Sequence, residues 1–350
     1  METILTGIQQ VGIGVNDVDK AFSLYKNMGV NVSVFDDEAV AKLMVRYTGG
    51  EPRKRRAMLA ISMNGGGGFE IWQFKDRKSL PYPGTLQPGD LGINAVKIKC
   101  TNPEATHQNL KSTLTDIQIG DIQPLPDGSK GFWLTDSFGN HFQFVKGNLF
   151  KNNTNKNAIG GVCGSFIGVS NVDQSKKFYS DVLGLKEVVY DVIENFQYPG
   201  SEVRKVRRVL LQRPASAVGG FSKFFGHVQI ELIQALEATP VKLFENRFWG
   251  DLGYIHLCFD TINMEKLEER CKAAGHEFTV DSKNSFDMGE SAGRFSYVED
   301  PDGTLIEFVE THKIPMLKAI GWYMNLNKRG KEKPLPGWFF FLLGLKRFGI

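Results

Sequence analysis

The chain contains an internal repeat, and this repeat constrains its fold more than any other feature of the sequence. The segment VGIGVNDVDKAFSLYKNMGV at 11–30 aligns with SFIGVSNVDQSKKFYSDVLGL at 165–185. Self-similarity over this length indicates a duplicated structural unit. Further segments align in the same order: 47–62 with 198–213, 90–98 with 251–259, and 134–146 with 298–310. We therefore predict two copies, at 1–148 and 158–312, joined by a polar linker and followed by a tail at 313–350.

Each copy divides again into two units of similar pattern. A strand with alternating apolar residues is followed by a helix that opens at Asn or Asp, and then by further strands. Asn16 or Asp17 is the expected N-cap in the first unit, and Gly184 and Gly275 are expected to end the helices of the third and fourth. The pattern predicts an α+β fold of four βαβββ modules that form two bent-sheet halves.

Composition and charge limit the classes of function. A net charge of +3 over 350 residues is too small to indicate a nucleic-acid partner. The four cysteines are scattered and form no CxxC pair, which is typical of reduced residues in a cytoplasmic protein. The N-terminal segment shows strand-like alternation and lacks the pattern of a signal peptide. The longest late apolar run, at 337–345, is too short to span a bilayer.

Three segments carry a family resemblance: VGIGVNDVDKAFSLYKNMGV, FIGVSNVDQSKKFYSDVLGL and DPDGTLIEFVE. They resemble the vicinal oxygen chelate superfamily, which includes glyoxalase I, extradiol ring-cleaving dioxygenases and bleomycin-resistance proteins. The resemblance extends over residues 5–312. It implies modules that pair around a cleft, a small-molecule substrate, one divalent metal ion (Zn, Ni, Fe or Mn) in the enzymes, and a possible homodimer. It defines the fold better than the reaction, because this fold supports several chemistries.

The resemblance places metal ligands on the first and last strands of each module. Imidazole nitrogens and carboxylate or amide oxygens bind such metals, whereas Ala and Gly side chains do not. In the order of the four modules, the corresponding positions are Gln10 and Glu70, Ala95 and Gln143, Gly164 and Glu231, and His256 and Glu307.

The way in which the modules pair decides which ligands meet. Pairing of the first module with the fourth gives the complete glyoxalase I-like set of Gln10, Glu70, His256 and Glu307. Pairing in sequence order leaves a smaller alternative set of Glu231, His256 and Glu307. We favour the first arrangement, because it gathers four donors in one cleft and leaves the other cleft nearly without ligands.

The resemblance to glyoxalase I implies a metal-dependent lyase or isomerase that removes a proton beside two chelating oxygens of the substrate. Glu307 is then the expected base and Glu70 the second catalytic carboxylate. Gly14 and Leu252 stand where glyoxalase I has arginines that bind glutathione, so we expect a substrate without glutathione. An extradiol-type dioxygenase and a metal-free binding protein of the bleomycin-resistance type remain alternatives.

The other histidines and the tail carry weaker predictions. His227 shares a strand face with Glu231 and is a rival ligand. The histidines at 107, 141, 276 and 312 match no ligand position and are expected at the surface. In the tail we predict a helix at 315–327 and an apolar end at 337–345 that packs on the protein. Weak contact with a membrane surface through 337–350 is the alternative.

Overall fold

The structure is a computed structural model that describes residues 4–150, 155–283, 286–287, 292–317 and 322–345. Four βαβββ modules follow one another along the chain, as predicted. The first contains β1 (Leu5–Gly14), α1 (Val18–Asn27), β2 (Val32–Val40), β3 (Lys54–Ile61) and β4 (Gly68–Phe74). The second contains β5 (Gly92–Cys100), α2 (Pro103–Thr113), β6 (Gln118–Ile119), β7 (Gln123–Pro124), β8 (Lys130–Thr135) and β9 (His141–Lys146).

The second copy has the same order of elements. The third module contains β10 (Ile159–Gly168), α3 (Val172–Asp181), β11 (Glu187–Phe196), β12 (Arg204–Arg213), the short helix α4 (Ser222–Phe225) and β13 (Val228–Ala235). The fourth contains β14 (Gly253–Thr261), α5 (Met264–Ala273), β15 (Val280–Asp281), β16 (Phe286–Asp287), β17 (Ala292–Glu299) and β18 (Leu305–Leu317). The tail adds β19 (Trp322–Asn325), α6 (Leu326–Arg329) and α7 (Gly337–Leu345).

Two sheets form the body of the protein, and each combines one module from each copy. The first and fourth modules share a ten-stranded sheet with the order β15-β17-β18-β14-β1-β4-β3-β2, here called the 1–4 sheet. The second and third modules share a nine-stranded sheet with the order β11-β12-β13-β10-β5-β9-β8-β6, here called the 2–3 sheet. The predicted pairing of the first module with the fourth is therefore confirmed. The boundary predicted between 148 and 158 separates the two copies of the repeat in the sequence. In the fold, each sheet contains strands from both copies.

The strand pairing brings the predicted ligand positions to the middle of each sheet. In the 1–4 sheet, β1 and β14 pair antiparallel at the centre, with Gly12 opposite His256. Within each module the first strand runs parallel to the last, so β4 flanks β1 and β18 flanks β14. The four central strands are thus the first and last strands of their modules.

The helices begin at the expected caps. Asp17, Asn102, Asn171 and Asn263 each accept a hydrogen bond from a backbone N–H in the first turn of their helix. This bond satisfies one of the N–H groups that a helix leaves without a partner at its start.

Two tyrosines tie the first helix of each copy to the other module of that copy. The Tyr25 hydroxyl on α1 donates to Asp136 at 2.7 Å, and the Tyr179 hydroxyl on α3 donates to Asp300 at 2.9 Å. Both aspartates open the Asp-x-x-Gly turn before the last strand of a module. Burial raises the pKa of Asp300 to about 6, although backbone N–H groups and Tyr179 stabilise its charged form.

The tail differs from the prediction at its start. The predicted helix at 315–327 is wrong, because β18 continues to Leu317 and pairs with β19. Residues 318–321 lie outside the described part. The sequence around 315 favoured a helix locally, but the edge of the 1–4 sheet offers hydrogen bonds that the strand satisfies. The apolar end does form a helix, α7, whose Phe339 and Phe340 are buried as predicted.

Two further observations concern the predictions from composition. All four cysteines are buried and unpaired, as expected for reduced core residues. Among the described residues, no helix is both long and apolar enough to cross a membrane.

Candidate metal centre and its cavity

Four polar side chains from the four central strands of the 1–4 sheet meet in its cleft. Gln10 lies on β1, Glu70 on β4, His256 on β14 and Glu307 on β18. Gly12 on β1 is opposite both His256 and Glu70, and Cys258 on β14 is opposite Glu307. The fold thus brings together all four residues of the glyoxalase I-like set, although 297 positions separate Gln10 from Glu307.

The side-chain nitrogen and oxygen atoms of these four residues lie close enough together to surround one ion. His256 Nε2 lies 3.2 Å from a Glu70 oxygen and 3.1 Å from a Glu307 oxygen. Gln10 Nε2 donates to the same Glu70 oxygen at 3.1 Å and approaches the same Glu307 oxygen at 3.5 Å. One ligand atom from each of Glu70, His256 and Glu307 lies within 4.8 Å of the others. Nitrogen and oxygen ligands about 2.0–2.2 Å from a shared divalent ion have such spacings.

The electrostatics of the cluster favour a cation. Burial lowers the pKa of His256, but the charges of Glu307 and Glu70 outweigh it and raise this pKa to about 10. Neither ring nitrogen of His256 makes an aligned hydrogen bond to any described residue. The carboxylates of Glu70 and Glu307 therefore lie within 3.2 Å of Nε2 without an aligned hydrogen bond to it. An imidazole, two carboxylates and an amide match the donors that Zn²⁺, Ni²⁺, Fe²⁺ or Mn²⁺ accept, so the residues fit a divalent metal.

Backbone and aromatic groups fix the position of His256. A Cβ added at Gly12 would lie 2.4 Å from His256 Cε1, so glycine alone leaves room for the ring. The Trp249 ring is nearly parallel to the imidazole at a centroid distance of 6.0 Å, and Tyr297 meets its edge at 5.6 Å. The imidazole is fully buried and is held between packed groups.

A cavity of about 470 Å³ adjoins the cluster. Gln10, Glu70 and Glu307 line it, which gives the candidate centre contact with a space of ligand size. The remainder of its wall is largely apolar and includes Trp72, Trp249, Phe221, Phe224, Phe225, Phe339 and Phe340. No pattern in the sequence identified the phenylalanines of α4 and α7 as cavity residues. Their segments have no counterpart in the first copy, so the repeat gave no signal for them.

The equivalent place in the 2–3 sheet contains cations of the protein itself. Lys97 Nζ lies 2.8 Å from Glu231 and donates to Gln143 at 2.7 Å. Arg208 Nε donates to the other oxygen of Glu231 at 2.6 Å. Burial alone would raise the pKa of Glu231, but Arg208 and Lys97 hold it below its ordinary value. With Ala95 and Gly164 as the other two residues, this place is already neutralised and offers no free ligand set.

The other predicted ligands do not join the centre. Glu231 belongs to the 2–3 sheet, so the alternative set of Glu231, His256 and Glu307 does not form. His227 immediately precedes β13 of the same sheet, where burial and then Lys99 lower its pKa to about 4. The prediction that His141 lies at the surface is wrong. It is buried beside Tyr198, and burial lowers its pKa to about 4.

Comparisons with known proteins agree with this architecture. A family model described as the Glyoxalase/Bleomycin resistance protein/Dioxygenase superfamily matches residues 161–308. Glyoxalase I from Zea mays has a similar fold, with a TM-score of 0.51 and 14% identity over 87% of this chain and 92% of the maize chain. A putative dioxygenase from Bacillus subtilis strain 168 has a TM-score of 0.55 and 12% identity over 100% of this chain and 97% of that chain. No curated protein matches significantly in sequence.

These findings define the class of protein. The family model supports membership of the vicinal oxygen chelate superfamily for residues 161–308, the second copy of the repeat, and the structural neighbours share the fold of the whole chain. The two structural neighbours include a glyoxalase I and a putative dioxygenase, and at these identities they define the fold and not the reaction.

Proposed function

We propose that the protein is a divalent-metal-dependent lyase or isomerase of the glyoxalase I type, acting on a small substrate with two neighbouring oxygens. One observation carries the proposal: Gln10, Glu70, His256 and Glu307 converge from four strands on one cluster, and Gln10, Glu70 and Glu307 of this cluster line a cavity. The same four residue types at the same module positions form the ligand set implied by the resemblance to glyoxalase I.

A divalent ion in this centre would act as a Lewis acid and acidify a C–H bond beside the two oxygens that chelate it. Gln10 is a neutral donor, so Glu70 and Glu307 together balance the charge of such an ion. His256 supplies a nitrogen held rigidly by Gly12, Trp249 and Tyr297.

Glu307 is the proposed proton carrier. Its side chain is only 9% exposed and borders the cavity, so a substrate carbon can approach its carboxylate while bulk water is largely excluded. It accepts the proton from one carbon and returns it to the neighbouring carbon, while the hydroxyl proton moves from one of the two neighbouring oxygens to the other, so the isomerisation needs no external oxidant. Glu70, which is 15% exposed, is the second carboxylate in contact with the substrate space.

Deuterium exchange tests this function without knowledge of the natural substrate. The probe is 2-hydroxyacetophenone, which has a carbonyl and a hydroxyl oxygen on adjacent carbons. We expect the zinc-loaded protein to accelerate exchange of its CH₂ protons in D₂O, as followed by NMR. Glu307→Gln should reduce this exchange by about 100-fold or more, because general bases typically contribute 10²–10⁴-fold.

The control is Gln143→Ala, at the position in the 2–3 sheet that corresponds to Glu307, and it should leave exchange unchanged. Metal content is measured on each variant, so that loss of the base is separated from loss of the ion. Exchange no faster than with free zinc would contradict the proposal. Oxygen consumption with catechol by iron-loaded protein would instead support the dioxygenase alternative.

A further inference from the structure

The cavity beside the candidate centre extends along an apolar wall. Leu59 on β3 is opposite Glu70, and Ile61 follows two residues further along the same strand face. Both line the cavity. Beyond them, Ile61 packs in one cluster with Phe224, Phe225, Phe339 and Phe340. The apolar wall therefore begins at the carboxylate and continues to the helices α4 and α7.

The charged groups on this wall are compensated by other groups of the protein. Arg55 forms an ion pair with Asp37 at 2.8 Å. Glu310 is paired with Lys331 at 2.5 Å and with His312 at 3.0 Å. Lys42 borders the cavity as an exposed side chain. Among the described residues that line the cavity, the only cation besides the exposed Lys42 is Arg55, which is already paired with Asp37 and is not free to select an anionic substrate body.

The tail forms part of this wall. The Phe340 ring stacks on Phe224 with centroids 5.0 Å apart and packs against Phe150 at 4.7 Å. Phe339 and Leu343 line the cavity from the same helix. A helix added after the repeat therefore covers the cleft that contains the candidate centre, and its apolar residues face the substrate space.

We propose that the substrate is amphiphilic, with two neighbouring oxygens at the centre and an alkyl or aryl chain that lies along Leu59, Ile61, Phe340 and Leu343. This inference rests on the proposed function, because the oxygen pair is assigned to the metal. The apolar chain of the substrate is inferred from the apolar residues that line the cavity. Burial of such a chain removes apolar surface from water, which is the main source of affinity in a pocket of this composition.

Two hydroxamates test the proposal on the zinc-loaded, full-length protein. Acetohydroxamate and octanohydroxamate chelate a divalent ion through the same two oxygens and differ only in alkyl length. Isothermal titration calorimetry gives the dissociation constant of each. A methylene that leaves water improves affinity by roughly 4-fold. We expect octanohydroxamate to bind at least about 100-fold more tightly, since most of its six additional methylenes would be buried.

Variants of α7 locate the chain. Leu343→Trp enlarges a side chain that lines the cavity and should remove most of the advantage of octanohydroxamate, while the affinity for acetohydroxamate stays the same. Phe340→Ala provides a second perturbation from the same helix. Phe341→Ala is the matched control, because Phe341 is adjacent in sequence but 63% exposed. It should leave both affinities unchanged.

The outcomes separate this inference from the proposed function. If acetohydroxamate binds only in the presence of zinc but octanohydroxamate binds no more tightly, the apolar chain site is contradicted and the metal site stands. If neither compound shows zinc-dependent binding, the metal site fails and the inference fails with it. An advantage of octanohydroxamate that survives Leu343→Trp would place the chain elsewhere and overturn the assignment.

Discussion

Glu70 in the 1–4 sheet and Glu231 in the 2–3 sheet occupy equivalent positions of the repeat, on β4 and β13, yet their surroundings differ. Glu231 is fully buried and is paired with Lys97 and Arg208. The residues aligned with Lys97 and Arg208 in the first and fourth modules are Cys258 and Ala57. The protein thus supplies two cations to one carboxylate and none at the corresponding positions around the other.

The difference extends to the shape of the two clefts. His256 occupies space left by Gly12, whereas the aligned pair in the 2–3 sheet is Ala95 with Phe166. Each pair combines a small residue with a large one. In the 1–4 sheet the large residue, His256, is on the fourth module, whereas in the 2–3 sheet the large residue, Phe166, is on the third module, which aligns with the first. The Phe166 ring lies 4.2 Å from Lys97 Nζ, so it packs against one of the two cations that neutralise Glu231.

This comparison shows what a buried carboxylate requires. A charge removed from water needs a partner of opposite sign, because the cost of an unpaired buried charge is several kcal/mol. The 2–3 sheet meets this requirement with its own side chains. In the 1–4 sheet, two carboxylates face one imidazole, so an external divalent ion is the partner that best completes the charge balance.

The largest effect is expected from removing a cation of the 2–3 sheet. Arg208→Ala should lower the free energy of unfolding by about 3–5 kcal/mol, because Glu231 and its charge stay buried. Urea denaturation measures this change. Arg207→Ala is the control on the same strand. Its partners Asp173 and Asp191 are exposed or partly exposed, so a loss of about 0–1 kcal/mol is expected. Equal losses of unfolding free energy for the two variants would show that the buried Arg208–Glu231 pair contributes no more than an exposed ion pair.

The next prediction concerns the cover that the tail gives to the 1–4 cleft. Phe340 is 2% exposed and packs on Phe150 and Phe224. Phe340→Ala should reduce the free energy of unfolding by about 3 kcal/mol, since it removes a buried ring and leaves a cavity. Phe341→Ala should cost less than about 0.5 kcal/mol. A similar cost for both would mean that α7 does not pack stably on the cleft. Liposome binding that is lost in Phe341→Ala would support the alternative, in which 337–350 contacts a membrane surface.

A smaller effect distinguishes the two buried histidines. His141 in the 2–3 sheet has no carboxylate partner among the described residues, and burial lowers its pKa to about 4. The pKa of His141 in the folded protein lies below the ordinary value of about 6.5. The neutral imidazole therefore contributes to the free energy of unfolding above about pH 6.5, and this contribution is lost as the pH falls from about 6.5 towards about 4. We expect about 2 kcal/mol of this contribution to disappear between pH 7 and 5. His141→Phe should reduce the pH dependence by that amount, and an unchanged dependence would contradict the assignment.

The smallest predicted change tests whether both copies contribute to the centre. Gln10→Ala should weaken zinc binding by at least about 10-fold, because loss of one donor changes both affinity and geometry. Gln9→Ala is the control, since Gln9 lines the same cavity but contacts Cys258. Competition with a zinc-binding dye measures both affinities. An unchanged affinity in Gln10→Ala would restrict the centre to Glu70, His256 and Glu307.

The sequence predicted the modules and the candidate centre for different reasons. Helix caps such as Asp17 and the Asp-x-x-Gly turns at Asp136 and Asp300 are local signals, so the four modules follow from them directly. The meeting of Gln10 with His256 required a choice between two pairings, and the completeness of the ligand set indicated the correct one. Completeness of the ligand set depends only on the positions at which the resemblance places metal ligands.

Other features depended on packing that the sequence does not display. Lys97 and Arg208 occupy positions aligned with Cys258 and Ala57, so no ligand pattern drew attention to them. His141 was expected at the surface because its sequence position does not reveal that it stacks on Tyr198 of the other copy. The strand at 315–317 forms because β18 and β19 pair at the sheet edge, which outweighs the local helical preference.

The stoichiometry of bound metal tests the central claim most directly. After equilibrium dialysis against zinc, elemental analysis of the native protein should give one ion per chain, because among the described residues the 1–4 sheet alone has a ligand set that no Lys or Arg neutralises. Gln143→Ala should also bind one ion, and His256→Ala should lose most of it. Two ions per chain, or full occupancy in His256→Ala, would contradict the account.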